Sequence, residues 1–281
     1  MLKIGQIEYA NCTPLFHVLR ERFSSSGYEF IPGVPAELNR MLLTGEIDVC
    51  PSSSIEYAYH PDRYTILPRL SITSVGAVAS VLLFSTVPVG HLDGRNILLS
   101  SESATSVNLL KILLGIQFGC SCTYEKARPG TTAVYGDAAA LLLIGDSALR
   151  ASAGNSDQYV YDLGDMWYRW TGYPFVFALW LCRNEVAEKA ELTRLARQLI
   201  RARNLVPYLL EDIVQGAKEA DWMGHDRLLK YWRDNISYQL DERAVSGLLL
   251  YFTKCVEAGL IDAVPELRFV LPGERQNSRQ E

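Results

Sequence analysis

At 281 residues the chain is too long for one small domain, and two lobes are expected. Its 48% hydrophobic and 21% charged residues exclude wholesale disorder, and a net charge of −5 offers no basic surface for nucleic acid. No stretch reaches the ~20 apolar residues that span a bilayer, and Met1 leads straight into strand-like sequence without a secretory pattern, so a cytoplasmic protein with no membrane partner is expected.

Leu2, Ile4 and Ile7 read as a first strand that turns at Tyr9–Ala10–Asn11. Thr13 and Pro14 then start a helix, threonine as a cap and proline with its fixed φ in the first turn. A strand that stops at a helix N-terminus presents backbone donors and a positive dipole end. Asn11 sits in that turn with a carboxamide that both donates and accepts, although asparagine also serves simply to support turns.

Tyr28–Ile31 reads as a strand, Pro35–Leu43 as a helix stopped by Gly45, and Ile47–Cys50 as a buried strand running into Ser52–Ser53–Ser54. A short helical piece, Ile55–Tyr59, closes at His60–Pro61. This βαβ rhythm implies a parallel sheet with ligand groups at the carboxyl ends of its strands, where Asn11 and the serine run would meet. Ser80–Thr86 is a strong strand, and Asn96–Leu99 another. The latter runs through a hydroxyl-rich turn, Ser100–Ser106, into a helix over Val107–Leu114. Ser103, Thr105 and Ser106 can cap that helix while offering hydroxyl and N–H donors to a carboxylate, although such a pattern is more often an ordinary cap than a ligand site. Ala138–Ile144 ends at Gly145–Asp146, where Asp146 either caps the next helix or faces a cleft. Phe175–Leu181 is a further apolar strand, after which Val186–Arg201, Val206–Lys218, Asp226–Trp232 and Asp241–Ala258 read as helices and the tail from Pro272 as frayed.

The layout is one αβ segment, a strong strand, a second αβ segment, a strong strand and a helical remainder. It divides the chain into a discontinuous lobe of residues 1–86 and 182–281 and a second lobe of 87–181. Hinge strands near 80–86 and 175–182 leave a cleft between the lobes. Six scattered cysteines and four histidines form no ligand motif, so no metal is expected. Glycine-rich phosphate loops, nucleophile elbows and Schiff-base lysine motifs are missing, and no cofactor is expected.

The segments IEYANCTPL, VPAELNRMLLTGEIDVCPSSSIEY, SVLLFSTVP, LLSSESATSVNLLKILL, ALLLIGDSALR and YDLGDMWYRWTGYPFVFALW together resemble the chorismate dehydratase family of the futalosine route to menaquinone. The resemblance runs in register over roughly residues 3 to 183 and continues more weakly beyond. It implies an α/β, two-lobed periplasmic-binding-protein-like (type II) fold with a central ligand cleft. It also implies conversion of chorismate to 3-[(1-carboxyvinyl)oxy]benzoate and water, a hydro-lyase reaction in which the substrate's own enolpyruvyl carboxylate is the base.

By the same resemblance, Asn11 and Ser80 act in catalysis, Asn11 by orienting and polarising the substrate. Ser53, Ser103, Thr105, Ser106 and Asp146 bind it. Ala104 stands where some relatives carry a larger polar residue, so donors there would be backbone N–H groups. The only partner expected is small-molecule chorismate, with a homodimer through the helical remainder left open. The alternatives are 1,4-dihydroxy-6-naphthoate synthase of the same pathway and a non-catalytic cytoplasmic solute-binding or sensor protein.

Overall fold

The structure is a computed structural model that describes residues 1–128, 130–134, 136–154 and 158–270; the tail from Pro272 lies outside them. The first αβ segment comprises β1 (Leu2–Ile7), α1 (Thr13–Arg22), β2 (Tyr28–Gly33), α2 (Pro35–Thr44), β3 (Val49–Ser53) and α3 (Ser54–Tyr59), followed by β4 (Tyr64–Ser74). β1 is parallel to both β2 and β3. Gly45, at φ +81°, ends α2 in the left-handed conformation expected of a glycine stop.

The second segment comprises β5 (Val81–Ser85), β6 (Asn96–Leu99), α4 (Ala104–Ile112), β7 (Thr123–Lys126), β8 (Ala138–Ile144), α5 (Gly145–Ala151), β9 (Tyr159–Asp162) and α6 (Leu163–Thr171). The chain then returns through β10 (Phe175–Arg183), α7 (Ala190–Gly216), α8 (Ala220–Met223), α9 (His225–Lys230), β11 (Ser237–Gln239) and α10 (Glu242–Glu257). One sheet has the order β11-β4-β10-β3-β1-β2 and the other β7-β6-β8-β5-β9. β8 and β10 are near-continuous apolar runs because both of their faces are covered; Leu141, Leu142, Leu179 and Leu181 are fully buried.

The lobe boundaries expected from sequence do not coincide with the sheets. β5 pairs antiparallel with β8 and β9, wholly inside the second sheet, and β10 pairs with β3 and β4, wholly inside the first. The crossings are therefore the segments 75–80 and 163–174 that precede each strong strand. Asp162 ties them together, its carboxylate accepting from the N–H groups of Val78 (3.0 Å) and Ala79 (2.6 Å) in one crossing and Asp165 (3.1 Å) in the other. Ala79 is held there at φ +60°, a conformation that costs a non-glycine residue about 1–2 kcal/mol. Burial pushes the Asp162 carboxyl pKa upward against the lowering effect of these donors.

Further elements differ from expectation. β4, β7, β9 and β11 are additional strands, α6 and α8 additional helices, and α7 is one 27-residue helix that runs through Pro207 where two helices were expected. A buried stripe through Leu195, Leu199, Ala202, Val206, Leu210 and Ile213 packs α7 onto the core on both sides of the proline. Among the described residues no helix is long and apolar enough to cross a membrane.

Candidate active site

Parallel pairing sends the carboxyl ends of β1 and β3 to one edge of the first sheet, and those of β6 and β8 to one edge of the second. The antiparallel strands β10 and β5 bring their amino ends to the same two edges. Between these edges lies a cavity of about 60 Å³. The first sheet lines it with Ile7, Tyr9, Asn11, Ser53, Ile72 and Phe177, and the crossing with Val78 and Ser80. The second sheet adds Val81, Ser103, Ser106, Ile144 and Gly145.

Of the residues singled out from sequence, Asn11, Ser53, Ser80, Ser103 and Ser106 meet at this cavity. Strand alternation sorts the serine run: Ser53 faces the cavity, Ser52 donates to Asn39 Oδ1 (2.6 Å), and Ser54 turns to the Thr105 hydroxyl (3.3 Å). Ser103 is the N-cap of α4, accepting from Ser106 N–H (3.3 Å) and from the Ser106 hydroxyl (3.1 Å), so capping and cavity lining are combined in one residue.

Three expected binding residues do not line the cavity. α4 begins at Ala104, three residues before the expected start, which places Thr105 in its first turn and buries it completely. The Thr105 hydroxyl accepts from Ile55 N–H (3.1 Å), fastening α4 to α3. Ala104 itself packs against the core as a partly buried apolar residue. Asp146 neither caps α5, whose N-cap is Ile144, nor faces the cavity: its Oδ1 accepts from the N–H of Ala10 (3.0 Å) and so bridges the two sheets. Burial pushes the Asp146 carboxyl pKa upward, the Ala10 N–H opposes this, and Glu219 adds to it. Thr13 is likewise not the cap of α1; the N-cap is Cys12, and the Thr13 hydroxyl donates to Glu219 (2.9 Å).

The Asn11 turn is held from several sides. Besides Asp146, the indole of Trp232 donates to Ala10 O (2.7 Å) and the phenol of Tyr238 to Asn11 O (2.8 Å). The buried Tyr231 phenol donates to Ser80 Oγ (2.9 Å), and burial keeps it protonated by raising its pKa. One segment, 231–238, thus positions both residues expected to act in catalysis. Sequence reasoning missed it, although three aromatic residues with polar handles in a single short stretch were the available signal.

With its backbone fixed, Asn11 points a side chain into the cavity whose Oδ1 is buried without a hydrogen-bond partner, and the Tyr9 hydroxyl is in the same position. Gly145, at φ +57°, packs against the Tyr9 ring so closely that an added Cβ would lie 2.7 Å from it. Among the described residues no group of three or more His, Cys, Asp or Glu is placed to hold a metal, and all six cysteines are free thiols.

A cavity of mostly apolar walls with a few hydroxyl and carboxamide groups, closed between the strand ends of two sheets with the chain crossing twice between them, defines a two-lobed protein of the periplasmic-binding-protein fold. Solved structures share it. The aliphatic sulphonate binding protein SsuA of Escherichia coli has a TM-score of 0.68 at 17% identity, covering 100% of this chain and 95% of that one. Protein AF1704 of Archaeoglobus fulgidus has 0.67 at 19%, covering 92% and 98%.

Sequence comparison is more specific. The family model described as menaquinone biosynthesis matches residues 2–257. The chorismate dehydratase of Thermus thermophilus is 35% identical over 261 residues, 87% of this chain and 92% of that protein. That of Campylobacter jejuni is 28% identical over 258 residues, 90% and 97%. The chain belongs to this menaquinone-biosynthesis family.

Proposed function

We infer that this chain is a chorismate dehydratase, a carbon–oxygen hydro-lyase that converts chorismate to 3-[(1-carboxyvinyl)oxy]benzoate and water in menaquinone biosynthesis. The observation that carries this reading is the 35% identity to a chorismate dehydratase over 87% of the chain.

The cavity chemistry supports it. Chorismate is a dianion, and the serine hydroxyls at the start of α4 offer the cavity neutral donors and a positive helix end. In this proposal Ser103 and Ser106 hold a carboxylate, with Ser53 a further donor. Asn11, its backbone pinned, orients the reacting ring, and Ser80 is aligned by Tyr231. The carboxamide of Asn11 does not ionise usefully, so the ring proton passes to the enolpyruvyl carboxylate of the substrate itself.

The cavity of about 60 Å³ is small for a chorismate-sized ligand, and we propose that the lobes part to admit it. We place the chain in the cytoplasm, where cell fractionation should find it.

The test is purified protein with chorismate and no added metal or nucleotide. Loss of the diene absorbance is expected, and Asn11→Ala should lower the rate about 100-fold or more. Its melting temperature should hold, because the unpaired Oδ1 contributes no hydrogen bond to the fold. Near-wild-type rates in Asn11→Ala would remove the residue from the mechanism, an unfolded variant would make it a turn support, and binding without turnover would favour a sensor.

A further inference from the structure

Among the described residues lining the cavity, Tyr9 is the only one with an ionisable side chain; no His, Lys, Arg, Asp or Glu reaches it. The other O–H groups there are serine hydroxyls, intrinsically weaker acids than a phenol, and two are already engaged. Ser80 lies between Tyr231 and the Val78 carbonyl, and Ser106 donates to Ser103. The Tyr9 hydroxyl is buried and makes no hydrogen bond of good geometry; the Glu102 carboxylate is its one near acceptor, close enough to draw on the phenolic proton. A buried polar group left unpaired costs stability, and such groups are kept where they serve a function.

The Tyr9 ring is also held. It rests on Gly145 across the junction of the two sheets, where the missing Cβ leaves it room, and its own carbonyl accepts from Cys12 N–H (2.9 Å) beside Asn11.

We propose that Tyr9 is a catalytic residue, the proton donor to the hydroxyl that leaves the substrate ring; this rests on the dehydratase reading of the site. As the C4–O bond breaks, its electron pair departs with the oxygen, and the Tyr9 phenolic proton joins it to make water. The C3 proton passes to the enolpyruvyl carboxylate, and the C–H electron pair completes the aromatic ring. The carboxylic acid so formed returns a proton to the tyrosinate, leaving water as the only net loss. Burial, with Glu102 adding to it, raises the phenol pKa, so the donor is protonated throughout the physiological range. The transfer is driven by the basicity that the departing oxygen gains as the C4–O bond breaks.

Tyr9→Phe removes one oxygen whose only near partner in the fold is the Glu102 carboxylate. The expected result is kcat lowered about 100-fold or more with KM within about threefold, the signature of an interaction made in the transition state. The melting temperature should be unchanged or higher, because an unsatisfied buried hydroxyl is gone. Retention of kcat, or a rise in KM alone, would overturn the proposal and leave the dehydratase reading standing. A Tyr9→Phe protein that fails to fold would give the hydroxyl a structural role and overturn it as well. A wild-type protein inert towards chorismate would remove both.

Discussion

Asp146 offers the sharpest test of how the Asn11 turn is held. Its Oδ1 accepts from the N–H of Ala10, a residue with no exposure to solvent, so Asp146→Ala strands a buried donor. Leaving such a group unpaired costs about 1–3 kcal/mol. In a chain of this size that corresponds to a fall of roughly 2–12 °C in melting temperature. Asp146→Asn keeps an acceptor oxygen at the same place and carries no charge to bury, so at neutral pH it should match or exceed the wild type.

The pH dependence has a definite sign. Burial raises the folded-state pKa of Asp146 above its ordinary value, so between the unfolded and folded pKa values the folded chain holds a proton that the unfolded chain has lost. The contribution of Asp146 to stability is therefore full below the unfolded pKa. It falls as pH rises through that window and is flat above the folded pKa. Melting curves of the wild type, the Asn and the Ala variants from about pH 4 to about pH 7 should show the Asn advantage growing with pH. If Asp146→Asn is as damaging as Asp146→Ala at neutral pH, the carboxylate charge is itself in use and the reasoning is refuted.

Thr105→Val should cost about 1–3 kcal/mol, because Ile55 N–H loses its acceptor, while KM for chorismate stays within about twofold; a large rise in KM would return Thr105 to the binding site. Tyr238→Phe frees the Asn11 carbonyl and should lower kcat about tenfold through misplacement of the side chain. Unchanged kinetics in that variant would show the turn to be fixed without it. Gly145→Ala sets a Cβ 2.7 Å from the Tyr9 ring at a positive φ, and should reduce both stability and turnover; calorimetry and steady-state rates read the two effects separately.

The αβ alternation and the convergence of Asn11 with Ser53 were legible because parallel strands place their carboxyl ends together, whereas the strong strands read as crossings proved to lie each inside one sheet. β4 was not legible, because Pro68 and Arg69 interrupt its pattern. The chain absorbs them in an irregular stretch where the register against β10 shifts, and Arg69 sits at φ +65°. α6 did carry a helical signal: Leu163, Met166, Trp167 and Trp170 recur at helical spacing, Asp162 caps the start and Gly172 ends it in the left-handed conformation.

The site residues divided along a physical line. Local pattern brought Ser53, at a strand end, and Ser103, at a helix start, to the cavity, but Thr13 and Asp146, also read as caps, cap nothing. Thr105 and Asp146 have partners 50 and 136 residues away in the sequence, and the grip of Trp232 and Tyr238 on the Asn11 turn spans still more, so local pattern carried no sign of them.

The account turns on one reaction in one cavity, and proton NMR of chorismate incubated with the wild-type protein reads it directly. The expected spectrum gains aromatic ring protons while keeping the vinyl protons of the enolpyruvyl ether, with no pyruvate released. Unchanged chorismate in the presence of folded protein, or an aromatic product that has lost the enolpyruvyl group, would contradict it.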